Sequence, residues 1–191
     1  MESLINSLHS IHPLSDALRD HLYVILRRQE FSKKELLLRN GNTSKQILFI
    51  ESGLVRCYYI REGEEISAWF MKEDNVIISV ESFFRQQPSH ENIQAIEDTV
   101  VYSISYQQLQ DIYRKYFEFN FVGRVITENY YTLSERRLYS IRLQTAEARY
   151  NYMLTHHSDL VNRLPVKYLA SYLGITRETL SRIRHQKRIK Y

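Results

Sequence analysis

The sequence predicts an α+β chain in three parts: a β-rich N-terminal body with flanking helices, one long helix, and a small helical C-terminal domain. Three observations carry this expectation. Short β-rich runs separated by turn residues fill positions 31–105. An apolar stripe with 3-4-3-4 spacing follows, in a stretch without proline. Charge is also divided unevenly: Arg163–Tyr191 holds eight Lys/Arg against the single acid Glu178, a net of +7, whereas residues 1–162 carry −3. A mildly acidic body with one basic end is the pattern of a protein that docks a polyanion through that end.

Composition narrows the class. In 191 residues with 43% hydrophobic content, only five glycines and three prolines leave little room for low-complexity sequence. The start, MESLINSLHSIHPLSDALRDHL, lacks a basic segment followed by an apolar run, and no apolar run approaches a membrane span of ~20 residues. A cytoplasmic protein without membrane contact is therefore expected. The single cysteine, Cys57, supports neither an internal disulfide nor a cysteine-rich metal site. No metal or other cofactor is expected: the scattered histidines offer only His9/His12 at i, i+3 and the adjacent His156-His157, and adjacent helical residues diverge by about 100° and seldom share a metal.

Taken in order, residues 1–30 have helical apolar spacing (Leu18, Leu22, Ile25, Leu26), with Ser15 suited to an N-cap. ILFI (47–50), LVRCYYI (54–60), ISAWFM (66–71) and TVVYSIS (99–105) then alternate with Asn40-Gly41, Ser52-Gly53 and Glu62-Gly63. Such even spacing reads as an antiparallel sandwich or roll. From about Asn120 to Ser140 a helix is expected whose stripe contains Phe119, Val122, Ile126, Asn129 and Leu133. That stripe either packs on the β-body or pairs with its twin across a two-fold axis, with Asn129 fixing register; the dimer seam is the preferred reading. Clustered tyrosines (Tyr58-Tyr59, Tyr130-Tyr131) are assigned to packing.

The C-terminal pattern is denser. Pro165 suits a helix start, Leu169, Ala170 and Leu173 give an apolar face, and Gly174 suits a left-handed helix end. Ile175 fills the corner, Thr176 is an N-cap for the next helix, and Leu180 and Ile183 face inward. Two short helices joined through such a turn form a helix-turn-helix. On the second helix, about 177–187, Glu178, Ser181, Arg182 and His185 point outward and Arg177 lies on the flank. A cation in a helix's first turn opposes the macrodipole, so stability does not ask for Arg177. Arginine can donate twice to guanine O6/N7, and a carboxylate can accept from cytosine N4. Thr176, Thr179 and Lys167 are candidate phosphate anchors. For Arg184, Lys187, Arg188 and Lys190, phosphate contact and plain helix or tail charge stand equal.

LPVKYLASYLGITRETLSRIR is similar to the helix-turn-helix of the Crp/Fnr family of bacterial transcription regulators, and FIESGLVRCYY (49–59) and AIEDTVVYSIS (95–105) also resemble that family. The resemblance implies an N-terminal antiparallel β-roll (cyclic-nucleotide-binding-like) with flanking helices over 1–112, a long dimerisation helix over 113–141, and a winged-helix-like helix-turn-helix domain with a short or missing wing over 142–191. It implies a homodimer on double-stranded DNA, with RNA polymerase a further partner and Arg177, Glu178 and Arg182 as base contacts. It also implies a cyclic-nucleotide pocket with a Gly-Glu pair and an arginine followed by a hydroxyl residue. Here the arginine position falls at Ser89 and its neighbour at His90, EDNVIISVESFF (73–84) lacks the Gly-Glu pair, and Arg85 and Glu81 are out of register. Without its bidentate arginine a cyclic phosphate loses its main anchor, so cyclic AMP is not the expected effector, and the effector stays unassigned.

Other classes fit less well. An enzyme finds no Gly-rich phosphate loop, G-x-S-x-G or H-E-x-x-H, and a metal-dependent cupin finds only His90 between 31 and 105. A ligand-binding regulatory module acting through protein contacts is the alternative, and the +7 segment argues against it.

Overall fold

The computed structural model describes residues 1–189, with side chains through Gln186. Helices α1 (Glu2–Ile11) and α2 (Asp16–Ile25) open the chain, and the Ser15 side chain caps α2 by accepting from Leu18 N. Strands β1 (Arg27–Phe31), β2 (Leu36–Leu38), β3 (Gln46–Ser52), β4 (Val55–Arg61), β5 (Glu64–Met71) and β6 (Val76–Ile77) follow. The short helix α3 (Val80–Arg85) precedes β7 (Asn92–Ala95) and β8 (Thr99–Ser105). Two four-stranded sheets result, in the orders β1-β8-β3-β6 and β2-β7-β4-β5, the antiparallel roll that the turn spacing predicts.

Strand alternation sorts the side chains between two cores. Leu48 and Ile50 of β3 and Val101 of β8 join Val55, Cys57, Ile77 and Ile93 in one buried cluster. The opposite face of the first sheet, with Phe49, Tyr102 and Ile104, is covered by α1, α2 and the helices after β8. At the β3–β4 turn Gly53 has φ +106, and a Cβ there would stand 2.7 Å from the Asp98 carbonyl oxygen, so only glycine fits.

Two strands depart from the sequence reading. Leu26 ends α2 in extended conformation, and Arg28, Gln29 and Glu30 of β1 pair with Tyr102, Val101 and Val100 of β8. RRQEF lacks apolar alternation, and the neighbouring strand makes it a strand. NIQA of β7, likewise polar at two of four positions, pairs Arg56 with Gln94 and Cys57 with Ile93.

After β8, Ser105 and Gln108 form a capping box that starts α4 (Tyr106–Lys115), and Tyr116 breaks the chain into α5 (Phe117–Leu143). At 27 residues α5 is longer than the expected 120–140 helix and spans about 40 Å. Helices α6 (Ala146–His156), α7 (Ser158–Arg163), α8 (Val166–Leu173) and α9 (Arg177–Ile189) complete the described chain. Among the described residues no strand follows α9, and no helix is long and apolar enough to cross a membrane.

The chain divides into two compact units, one of Met1–Tyr59 with Trp69–Asn129, the other of Ile60–Ala68 with Tyr130–Tyr191. The stripe expected along α5 divides as well. Phe119 and Val122 are buried, with Leu109 and Ile112, in the first unit's own core, and Ile126 is half-buried against it. Neither Phe119 nor Val122 is therefore available to a partner, which corrects the dimer-seam reading at those two positions. Asn129 is exposed, as is Leu133 at 44%.

Candidate nucleic-acid interface

The second unit builds its exposed polar surface from the turn outward. Val166 is the first residue of α8, because Pro165 takes the N-cap and its carbonyl accepts from Tyr168 N and Leu169 N. At the other end Gly174 adopts the left-handed conformation (φ 67), and Ile175 N donates to the Ala170 carbonyl at 3.0 Å, closing a Schellman turn. Thr176 then caps α9, its hydroxyl accepting from Thr179 N at 3.2 Å. Leu169, Ala170, Leu173, Leu180 and Ile183 are buried together with Tyr150, Met153, Leu160 and Val161 of the preceding helices.

Two arginines outside the helix pair fix the end of α8. Arg149 donates from Nε and Nη2 to the Leu173 carbonyl, at 3.2 and 2.6 Å. Arg137 of α5 donates to the Tyr172 carbonyl and stacks 3.6 Å above the Tyr172 ring. Both cations meet carbonyls that a helix end leaves unpaired, where positive charge is also favoured by the dipole. These positioning residues escaped the sequence reading, since their partners lie 24 and 35 residues away.

With the core side fixed, Arg177, Glu178, Ser181, Arg182 and His185 are exposed and line one open recess of about 600 Å³, together with Val166. Helical rotation predicts Glu178, Ser181, Arg182 and His185 outward and Arg177 on the flank; it does not single out Val166. A backbone N–H and the Thr176 hydroxyl hold the Glu178 carboxyl below the usual carboxylate range, so it is an ionised acceptor at neutral pH. The Thr176 and Thr179 hydroxyls lie 3.3 Å apart at the helix start. Arg184 is turned inward, donating to Tyr150 Oη at 3.2 Å, which assigns it to packing. Lys167 lies 3.5 Å from Glu65 Oε2. Lys190 and the side chains of Lys187 and Arg188 fall outside the described residues.

The β-roll has a different chemistry. Ser89 is buried, its Oγ 2.9 Å from Ser79 Oγ and accepting from Glu91 N at 3.1 Å. The Cys57 thiol donates to Glu91 Oε2 at 2.6 Å. Burial first, and then Glu91, push both the Cys57 thiol and the Tyr59 phenol up. The buried Arg56 donates from Nε and Nη2 to Gln94 Oε1, with its guanidinium 4.0 Å over the Tyr58 ring. Glu81 and Arg85 sit exposed on α3, and Asn40 Nδ2 donates to the His90 carbonyl. The position that the resemblance gives to the phosphate-binding arginine thus holds a buried hydroxyl, Ser89, hydrogen-bonded to Ser79 and to the Glu91 backbone. Among the described residues no group of three or more His, Cys, Asp or Glu could hold a metal ion.

An eight-stranded roll, a long helix and a helix-turn-helix with a cationic recess together define the fold of the Crp/Fnr-type transcription regulators. Over 96% of its length the chain is similar to a CooA variant from Carboxydothermus hydrogenoformans, with 20% identity, TM-score 0.71 and 84% of that chain covered. The c-di-GMP responsive global regulator CLP of Xanthomonas campestris gives TM-score 0.71 at 13% identity, over 92% and 93% of the two chains. A chain from Eubacterium rectale described as a Crp/Fnr-family transcriptional regulator gives 0.75 at 17%, over 97% and 88%. Residues 28–116, which hold most of the β-roll, match the model of the cyclic nucleotide-binding domain family. No curated protein matches the chain.

Proposed function

We propose that this protein is a homodimeric, sequence-specific DNA-binding transcription regulator of the Crp/Fnr type, acting without cyclic AMP and without a catalytic step of its own. The observation that carries the reading is the recess on α9, where Arg177, Glu178 and Arg182 stand together on the exposed face of a helix whose other face is locked by Leu180 and Ile183. Each protomer would place α9 in a major groove, with Arg177 and Arg182 donating to guanine edges and Glu178 accepting from cytosine. Ser181 and His185 flank them; Thr176, Thr179 and Lys167 are assigned to phosphates. Exposed Tyr131, Leu133, Leu138, Tyr139 and Ile141 on α5 support pairing with a second copy, because so many large apolar groups on one helix favour cover. RNA polymerase is the partner such a regulator would meet on DNA, in the cytoplasm.

Selection of bound sites from a random DNA pool tests the reading. A two-fold-symmetric site with half-sites about one helical turn apart is expected, with affinity falling steeply as salt rises. Binding no tighter than to bulk DNA would refute it, as would a 23.0 kDa particle in sedimentation at micromolar concentration. Calorimetry with cyclic AMP and cyclic GMP should show no heat; micromolar binding of either would overturn the effector assignment, which rests on Ser89 and Glu91.

A further inference from the structure

The second unit includes a piece of the β-roll's own strands, residues 60–68 at the β4–β5 tip. Strand β5 ends its sheet, so one edge of it carries backbone groups with no strand partner. Ser171 of α8 meets that edge: its Oγ accepts from Ser67 N at 2.9 Å and donates to the Glu65 carbonyl at 3.1 Å. One hydroxyl thus does what a neighbouring strand would do for two groups two residues apart. One turn earlier on the same face of α8, Lys167 Nζ lies 3.5 Å from Glu65 Oε2. Ser67 is 2% exposed, whereas the Lys167 side chain is 52% exposed.

Lys167 stands in the first turn of α8, where a cation opposes the helix dipole. Helix stability gives no reason for it. The first helix of a helix-turn-helix crosses the DNA backbone, so a lysine at its start is placed for a phosphate. Here a carboxylate occupies the cation, held in place by the Ser171 bridge next to it. We propose that the β4–β5 tip is an autoinhibitory clamp, in which Glu65 stands in for a DNA phosphate on Lys167 and must be displaced before α8 can seat on the backbone. The clamp rests on the DNA-binding reading above. Strand β5 runs on from Ser67 to Trp69 and Met71, which pack on the roll's inner core.

The test uses the full chain and a DNA site selected with the wild type. Glu65→Gln is expected to tighten binding by about two- to fivefold per protomer, the scale of one exposed ion pair. In a Lys167→Ala background the same change should have no effect. A Glu65→Gln variant with unchanged affinity overturns the clamp, and so does a gain that survives in the Lys167→Ala background, since that would be general charge removal. Hydrogen exchange gives an independent readout. The Ser67 amide should be protected in the free protein, and should lose protection in Ser171→Ala and on addition of DNA. Protection retained in the DNA complex would sink the proposal. If neither the wild type nor Glu65→Gln selects a site, the DNA-binding reading itself has failed; a wild type that binds while Glu65→Gln is unchanged removes the clamp alone.

Discussion

Leu180→Ala is expected to destabilise the second unit by about 2–5 kcal/mol and to abolish specific DNA binding. Leu180 has 0% exposure on α9, which packs against α8, and Leu169, Leu173 and Ile183 of the same two helices are buried as well. Removing most of its side chain forfeits the transfer energy of the lost carbons and leaves a cavity that two helices fixed by a Schellman turn and a threonine cap cannot close. A domain has only about 5–15 kcal/mol in hand, so α9 would be melted for a large fraction of the time. Urea unfolding followed by far-UV circular dichroism should show the early loss of part of the helical signal. Trp69, the chain's single tryptophan, lies in the other unit and serves as an internal reference. Its emission should change at the wild-type midpoint. A uniform shift of both signals would mean that the two units unfold as one.

Arg182→Ala should weaken binding to the selected site by about 1–3 kcal/mol and relax the preference at one base pair per half-site. The side chain is exposed in the recess and makes no hydrogen bond or ion pair with another described residue, so its removal should move stability by no more than about 0.5 kcal/mol. Fluorescence anisotropy on a set of sites carrying single base changes would read both effects. An equal loss on every sequence would make Arg182 a phosphate contact. Arg184→Ala is the useful contrast: Arg184 is tied to Tyr150, so it should lower the melting temperature and leave base preference unchanged.

How much of this was legible in the sequence depended on the range of the determining contact. The helix-turn-helix was readable because its determinants lie within about twenty residues: the glycine stop, the threonine cap, and the Leu180/Ile183 spacing that leaves five polar side chains outward. TVVYSIS was readable as β8 for the same reason, since β-branched and aromatic residues favour a strand on their own. RRQEF was not, because β8 decides its state. VESFFR is too short for periodicity to mark it as α3. The α5 stripe shows a third kind of limit. Spacing identifies an apolar face but does not say what covers it, and Phe119 and Val122 are covered by the core of their own chain. The arginines at the end of α8, and the meeting of Glu65 with Lys167 across 102 positions, depend on tertiary folding and leave no local trace.

The strand shared between the two units also bears on how such proteins can be recombined. Residues 60–68 sit in the middle of the β-roll sequence, yet they cluster with the C-terminal helices. A chimera joined only in the α5 region, taking the roll from one relative and the helix-turn-helix from another, would set a foreign hairpin tip against Ser171 and Lys167. The exchangeable module is discontinuous, and a graft that keeps the native interface must carry residues 60–68 along with the C-terminal helices.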